Sequence, residues 1–222
     1  MEIRADGISK KFFRKGRGTN YFTAVESTDF TLYSNKLTGI MGRSGSGKTT
    51  LINMLSGLLV PSEGKVYLGN CDIYEVSDIE RSQLRCSHIG VIPQGYTGLQ
   101  SLTVLENILA PSRICGGEDR TEKAMELMDK MGITHLAQVY SNELSGGEQR
   151  RMSIARALIN SPHIIIADEP TSDLDEENTV LIMGVLREMA DTGAAVLMVT
   201  HDKQAAGYAD AILTMDNGRL IT

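Results

Sequence analysis

One continuous stretch carries the clearest chemical signal in the sequence, and it reads Gly42, Arg43, Ser44, Gly45, Ser46, Gly47, Lys48, Thr49. An apolar, strand-like run ends just before it, and a helix-like run begins within it. This is the order of strand, glycine-rich loop and helix that a phosphate-binding loop needs. The glycines let successive backbone N–H groups point at phosphate oxygens, and the helix N-terminus and the Lys48 ammonium add positive charge. With the Thr49 hydroxyl as a ligand for Mg²⁺, the stretch predicts binding of a nucleotide.

Two carboxylates follow an apolar run. Residues 164–167 predict a buried parallel strand, and Asp168 and Glu169 stand at its carboxyl end, where ligands bind in open α/β sheets. Adjacent side chains that leave a strand end point in different directions, so the two acids can have different tasks. We expect Asp168 to hold Mg²⁺ and Glu169 to act as general base toward the attacking water. The alternative is a pair of solvated turn carboxylates, although so apolar a strand rarely ends in paired acids for packing reasons.

Three further segments offer polar groups for the same chemistry. His201 ends another apolar run, and its imidazole is a candidate to bond the γ-phosphate, with a structural histidine as the alternative. Gln94 follows the predicted strand 88–92 and is a candidate neutral ligand of Mg²⁺ or of the water. Residues 145–147 form a second loop of backbone donors at a helix N-terminus, which makes a second anion site. The two anion sites either serve one nucleotide or share each nucleotide with another copy, and the residues alone leave both arrangements open.

The elements that must position these residues change in character along the chain. Residues 2–33 predict strands with a loop at 16–20, and strands alternate with helices up to residue 94 and again from residue 160. Residues 95–143 predict helices and loops without strand signals. We therefore expect an α/β fold with a P-loop NTPase core, a mixed and largely parallel sheet, an N-terminal antiparallel β subdomain and an inserted α-helical subdomain. One domain is expected over residues 1–222, with residues 1–94 and 160–222 in the α/β part and residues 95–159 in the helical part.

Charge, cysteines and hydropathy exclude several classes of protein. The formal net charge of −6 argues against broad binding of nucleic acid, which requires a basic surface. Cys71, Cys86 and Cys115 are odd in number and widely spaced, so we expect free thiols in a reducing compartment. The sequence shows no N-terminal signal and no apolar run near the roughly 18 residues of a membrane span. We therefore expect a cytoplasmic protein that reaches a membrane only through a partner.

Taken in order, these motifs resemble those of the ATP-binding subunit of an ABC transporter over essentially the whole chain. The Walker A motif corresponds to residues 42–49, the glutamine loop to Gln94, the signature to residues 144–149, Walker B to residues 164–168, the D-loop to residues 172–175 and the switch histidine to His201. Residues 40–50, 102–107 and 167–171 are similar to those of the macrolide-exporter, lipoprotein-release and cell-division ATPases. Two departures are small: Arg43 replaces the more usual proline, and Asp173 replaces a small residue of the D-loop.

The resemblance implies an Mg²⁺-dependent ATPase that powers a separate transmembrane permease on the inner face of the cell membrane, for export or extraction of a peptide, lipid or drug-like substrate. It also implies a head-to-tail homodimer that encloses two ATP molecules, with a heterodimer as the open alternative. The implied catalytic residues are Lys48, Gln94, Glu169 and His201, and the implied metal ligands are Thr49, Gln94 and Asp168. The implied nucleotide-binding residues are Phe12, Gly42, Arg43, Ser44, Gly45, Ser46, Gly47, Lys48, Thr49, Thr50, Ser145, Gly146, Gly147 and Asp175.

Several alternatives stay open within this hypothesis. Phe13 rivals Phe12 as the aromatic that stacks on the base, and residues 96–105 are the expected docking groove for the permease. The ATPase could instead transmit a signal through the membrane, as in the cell-division branch, with nothing transported. A nucleotide-gated binding module with negligible turnover is disfavoured by the presence of Glu169 and His201. A DNA-acting ATPase of related fold is disfavoured by the net charge and by the absence of a long coiled-coil insertion.

Overall fold

The computed structural model of the protein describes residues 1–13, 21–95 and 97–221. Along these ranges the elements are β1 (Ile3–Phe13), β2 (Tyr21–Leu32), β3 (Lys36–Met41), α1 (Lys48–Leu55), β4 (Glu63–Leu68), β5 (Cys71–Asp72), α2 (Asp78–His88), β6 (Ile89–Ile92), α3 (Val104–Ile114), α4 (Thr121–Lys130), α5 (Gly146–Leu158), β7 (Ile164–Asp168), α6 (Glu176–Asp191), β8 (Ala195–Val199), α7 (Lys203–Ala206), β9 (Ala211–Asp216) and β10 (Arg219–Ile221). Two short 3-10 helices, Thr134–Leu136 and Ser141–Glu143, lie between α4 and α5.

The strands form two sheets. One is antiparallel, in the order β2-β1-β4-β5, and the other has the order β10-β9-β3-β8-β7-β6. In the second sheet β9, β3, β8, β7 and β6 run parallel, and only β10 pairs antiparallel, with β9. The predicted α/β fold with an N-terminal antiparallel sheet is therefore confirmed. The loop predicted at residues 16–20 lies outside the described residues.

The centre of the parallel sheet is buried on both faces, which explains why its central strands are continuously apolar. Every residue of β7 and β8 is buried. Side chains alternate between the faces: Ile165 and Ala167 join an apolar cluster with α3, α4, α5 and α6. Ile164 and Ile166 join a second cluster with α1 and the antiparallel sheet. The β7 strand therefore lies between two layers, and its carboxyl end is fixed from both sides.

Helices α3, α4 and α5 occupy the stretch between β6 and β7, where the sequence predicts helices without strands. Capping boxes begin α2 and α3. The hydroxyls of Ser77 and Thr103 accept from the N–H three residues ahead, and the glutamate carboxylate at that position accepts from the N–H of the capping residue. The short helix α7 is a finding that the sequence pattern does not predict. Within the described ranges, none of the helices combines the length and the apolar character that a membrane span needs. The boundaries proposed at residues 95 and 159 stay predictions.

The prediction of three free cysteines is wrong. Cys86, in the last turn of α2, and Cys115, which caps the C-terminus of α3, form a disulfide with a Cα–Cα distance of 6.4 Å. Cys71 is the free cysteine of the described residues. The partners are 29 residues apart and lie on two helices that the fold brings together. Because that proximity is a tertiary effect, the spacing of the cysteines does not reveal it.

Candidate nucleotide-binding site

The carboxyl ends of the parallel strands meet at one edge of the sheet, and a cavity of about 750 Å³ opens there. In the register of β7 and β8, Asp168 lies opposite Val199, so the residues that follow the two strands are neighbours. This is the edge where ligands bind in open α/β sheets. Twelve of the predicted site residues line the cavity: Phe12, Gly42, Ser44, Gly45, Gly47, Lys48, Thr49, Thr50, Gln94, Asp168, Glu169 and His201.

The glycine-rich loop turns tightly between β3 and α1. Gly45 and Gly47 have φ of +78° and +106°, and Gly47 caps α1 with no side-chain acceptor for the first N–H groups of the helix. Those N–H groups lack partners within a helix and attract an anion. Arg43 is exposed, Ser46 is buried, and neither is among the residues that line the cavity. The Ser46 hydroxyl has no hydrogen-bond partner among the described residues.

The Lys48 ammonium is buried at the cavity wall. It donates to the carbonyl oxygens of Gly42 at 2.7 Å and Arg43 at 2.8 Å. A buried ammonium requires hydrogen-bond partners to offset its desolvation, and these carbonyls supply two. The contacts hold the positive charge against the glycine-rich loop, where it complements the charge of a polyphosphate.

Thr49 and Asp168 meet across α1 and β7. The Thr49 hydroxyl donates to the Asp168 carboxylate at 2.9 Å. Burial raises the pKa of Asp168, while the hydrogen bond from Thr49 and the charges of Lys48 and Arg150 oppose that rise. A hydroxyl and a carboxylate side by side are hard oxygen donors, which Mg²⁺ prefers. The donor set therefore fits the predicted Mg²⁺.

Glu169 and His201 bridge the ends of β7 and β8. The Glu169 carboxylate accepts from His201 Nδ1 at 2.8 Å and from the His201 backbone N–H at 3.3 Å. The hydrogen bond to Glu169, with its charge, raises the pKa of His201. The Glu169 N–H donates to the Val199 carbonyl at 2.9 Å, although Glu169 has a φ of +50°. A left-handed conformation costs a non-glycine residue about 1–2 kcal/mol, so the surrounding bonds hold this carboxylate in a strained position.

Two aromatic rings close the cavity on the side of the antiparallel sheet. Phe12 pairs with Phe22 in the register of β1 and β2, and their rings stack with centroids 5.7 Å apart. Both line the cavity. Phe13 is 61% exposed, packs edge-on against Tyr21 and is not among the lining residues. Of the two candidates, Phe12 therefore lies at the cavity and Phe13 does not.

Four predicted nucleotide-binding residues lie away from the cavity. Ser145, Gly146 and Gly147 begin α5, where the Ser145 hydroxyl donates to the Glu148 carboxylate at 2.6 Å within a capping box. Asp175 caps α6 and accepts from the N–H of Asn178 at 2.8 Å. None of the four is among the residues that line the cavity. One copy of the chain thus brings together one of the two predicted anion sites and the carboxylates, but not the second anion site.

Comparison with known proteins identifies the family of the chain. The family described as ABC transporter matches residues 25–172. The chain belongs to the ABC transporter family. It is an ATP-binding cassette of that family and an ATPase. The resemblance drawn from the order of its motifs is therefore confirmed.

Two curated relatives resemble the cassette to different extents. The lipoprotein-releasing system ATP-binding protein LolD of Shewanella oneidensis is 40% identical over 222 residues, which cover 98% of this chain and 95% of LolD. The macrolide export ATP-binding/permease protein MacB of Pasteurella multocida is 38% identical over 210 residues, which cover 94% of this chain. The cassette spans 32% of the length of that MacB.

Solved structures of another cassette share the fold. The dimeric structure of MJ0796, a bacterial ABC transporter cassette, has a TM-score of 0.91 at 32% identity and covers 98% of this chain and 97% of that chain. A dimeric post-hydrolysis state of MJ0796 bound to ADP and Pi has a TM-score of 0.90 at 31% identity, with the same coverage. The similarity therefore extends over nearly the whole of both chains.

The cassette also contains site residues that sequence reasoning missed. They come from β2 and from the hairpin after β9, and they are Phe22, Thr23, Ala24, Asn217 and Gly218. The Gly218 N–H donates to the Ser46 carbonyl at 2.9 Å, so the hairpin supports the glycine-rich loop. The pair Asn217-Gly218 is typical of a hairpin turn, but no local pattern encodes the position of the hairpin beside the glycine-rich loop.

Proposed function

We propose that the cassette binds ATP with Mg²⁺ in the 750 Å³ cavity and hydrolyses it there. The observation that carries the proposal is the convergence of Lys48, the Thr49–Asp168 pair and the Glu169–His201 pair on one edge of the sheet. The phosphates lie along residues 42–50, and the base stacks on Phe12. Thr49 and Asp168, with Gln94, hold Mg²⁺, which neutralises charge on the outer phosphates when it is bound.

Glu169 is the proposed general base. Its carboxylate takes a proton from the attacking water as the water oxygen bonds to the γ-phosphorus and the bond to ADP breaks. The side chain of Glu169 is 10% exposed, whereas that of His201 is 71% exposed. Glu169 is therefore held in place, and the histidine is free to turn from the carboxylate toward the γ-phosphate.

The proposed active form is a homodimer. Residues 145–147 do not line the cavity of their own copy, yet they form the N-terminus of α5, whose first N–H groups have no partners within the helix and attract an anion. In a head-to-tail pair, each copy supplies this helix end to the ATP held by the other copy. Two structures of MJ0796, which matches this chain over nearly its full length, are dimeric, and they support a dimer as the active form. A single chain carries both elements, so two identical copies complete both sites.

The proposed role of the hydrolysis is to power a separate membrane permease from the cytoplasmic face of the membrane, for export or extraction of a substrate. Support comes from the relatives: LolD is named as the ATP-binding protein of a lipoprotein-releasing system, and MacB as a macrolide export ATP-binding/permease protein. The expected docking groove at residues 96–105 contains Leu99, whose side chain is exposed. Tyr96, in the same expected groove, lies outside the described residues.

The test is ATP hydrolysis by the purified cassette beside the variant Glu169→Gln, with the oligomeric state followed by light scattering. Glu126→Gln, an exposed glutamate of α4, is the matched control. We expect Mg²⁺-dependent hydrolysis by wild type and by the control, and a loss of about 10²–10⁴-fold in Glu169→Gln. The Glu169→Gln variant should bind ATP and accumulate as a dimer. Equal hydrolysis by Glu169→Gln and wild type, with no dimer, would show that Glu169 is not the base.

A further inference from the structure

Arg150 lies in the second turn of α5, shortly after residues 145–147, and is 2% exposed. Its guanidinium reaches two separate segments. One terminal nitrogen, Nη1, donates to the Pro93 carbonyl at 2.8 Å. The other, Nη2, donates to the Ser172 hydroxyl at 3.2 Å. A buried guanidinium is stable only where its donors are satisfied, so the positions of both acceptors are tied to that of α5.

Each of the two acceptors is connected to a residue that has a role in the proposed hydrolysis of ATP. Pro93 directly precedes Gln94. The Ser172 hydroxyl donates onward to the carbonyl of Glu169 at 3.1 Å, and the Ser172 N–H donates to the same oxygen at 3.2 Å. A single side chain of α5 is thus connected to the segment of Gln94 by one hydrogen bond and to Glu169 by two in series.

The backbone around Ser172 is also strained. Glu169 and Asp173, on either side of it, have φ of +50° and +61°. Non-glycine residues keep such conformations only where surrounding contacts impose them. The contact from Arg150 to Ser172 lies in the middle of this strained turn.

We propose that Arg150 is a positioning residue, which sets the places of Gln94 and Glu169 relative to the N-terminus of α5. The inference rests on the proposed function, in which that N-terminus binds the ATP of another copy. When α5 closes over the nucleotide of the partner copy, it shifts. Arg150 then transmits this shift to Glu169 and Gln94 in the site of its own copy. Lysine cannot replace the arginine, because a single ammonium on a flexible stem does not bridge two acceptors with the geometry of the planar guanidinium.

The first test compares Arg150→Lys with Arg120→Lys. Arg120 is the matched control, because it too is an arginine that donates to a backbone carbonyl, that of Ile159 at 2.9 Å, and the structure records no hydrogen bond from it to the described residues of the Gln94 and Glu169 segments. For Arg150→Lys we expect kcat to fall about tenfold, since small displacements of catalytic groups have effects of this size or larger, while KM for ATP stays within about twofold. Arg120→Lys should leave both constants unchanged. An unchanged kcat in Arg150→Lys would overturn the inference.

A second variant separates positioning from general loss of structure. Ser172→Ala removes the link to Glu169 and keeps the bond to Pro93, so we expect a smaller fall in kcat, of about threefold. The double variant should match Arg150→Lys alone, because both substitutions break the same link. If the two effects multiply, the residues act independently and the proposed link does not exist.

Hydrogen exchange of the nucleotide-free protein gives a readout that does not depend on ATPase activity. Peptides that contain Gln94 and peptides that contain Glu169 should both exchange faster in Arg150→Lys than in wild type, and not in Arg120→Lys. Unchanged exchange in both peptides would overturn the inference even if wild type hydrolyses ATP. A wild type without ATPase activity but with these exchange changes would overturn the proposed function and leave the positioning role supported.

Discussion

The substitution Gly47→Ala tests whether the glycine-rich loop needs this glycine for space as well as for conformation. Gly47 has a φ of +106° and caps α1. A Cβ at this position would lie 2.3 Å from the carbonyl oxygen of Ala24 and 2.9 Å from the Met215 side chain. The first of these contacts is with the backbone of β2, which cannot turn aside as a flexible side chain does. The loop itself must therefore move.

Gly45→Ala is the matched control, because Gly45 has a φ of +78° and, apart from its chain neighbours, an added Cβ would meet no atom of the described residues within 4 Å. Both variants incur the left-handed conformation, at about 1–2 kcal/mol, and both gain the same reduction in the entropy of the unfolded chain. Only Gly47→Ala adds overpacking, at about 1–3 kcal/mol. With the gain from the unfolded chain, about 0.4–1 kcal/mol, subtracted from these costs, we expect the free energy of unfolding to fall by about 0–1.5 kcal/mol in Gly45→Ala and by about 1–4.5 kcal/mol in Gly47→Ala.

The assay is urea unfolding without nucleotide, followed by equilibrium binding of ATP with Mg²⁺. Displacement of Gly47 moves the first N–H groups of α1, and the loss of one hydrogen bond to a charged group is worth about 1.5–3 kcal/mol. The affinity for ATP should therefore fall roughly 10- to 150-fold in Gly47→Ala. The same loss of stability and affinity in both variants would refute the argument, because conformation alone would then account for it.

Two further predictions concern a titration and a covalent link. The pKa of His201, followed by NMR, should lie above its usual value in wild type and fall toward that value in Glu169→Gln. The contribution of the Glu169–His201 pair to stability is therefore present at low pH and is lost as the pH rises through the raised pKa. An equal pKa of His201 in both proteins would contradict the contact. Reduction of the Cys86–Cys115 disulfide, which spans 29 residues, should lower the free energy of unfolding by about 3–4 kcal/mol. Thermal melts with and without reductant measure this difference. The control variant Cys71→Ser should have the same stability as wild type. Alkylation of the unreduced, denatured protein should label Cys71 alone, and labelling of all three cysteines would contradict the link.

The residues at the sheet edge were predictable because of a regularity of parallel sheets. Each candidate, such as Gln94, Asp168 or His201, follows an apolar run, and the runs could be read as parallel strands whose carboxyl ends share one edge. The prediction that these residues lie close together therefore needed no knowledge of tertiary contacts beyond that rule. The buried stripe of α4 was predictable for a similar reason, since helical spacing alone places Ala124 and Leu127 on one face.

Other parts of the site depend on packing between the two sheets, which no local pattern records. Phe22 reaches the cavity because its partner in the register of β1 and β2 is Phe12. The same limit applies to His88 and His163, whose Nδ1 atoms lie 3.4 Å apart although the residues are 75 positions apart. Within the described residues, no group of three or more metal-binding side chains surrounds this pair. The sequence thus predicts residues at strand ends, and it does not predict pairs formed across layers.

The separation of the two anion sites has a physical consequence for how the cassette works. Lys48 and the Glu169–His201 pair lie in the cavity of one copy, and residues 145–147 lie outside it. In the proposed mechanism, ATP bound by one copy alone contacts the charge of Lys48 but lacks the helix end that completes its surroundings. Arg150 connects that helix end to the segment of Glu169, so the two proposals together assign the positioning of the base to the element that contacts the partner's nucleotide. Hydrolysis is then expected only in the closed dimer, which limits ATP consumption by the separate subunit.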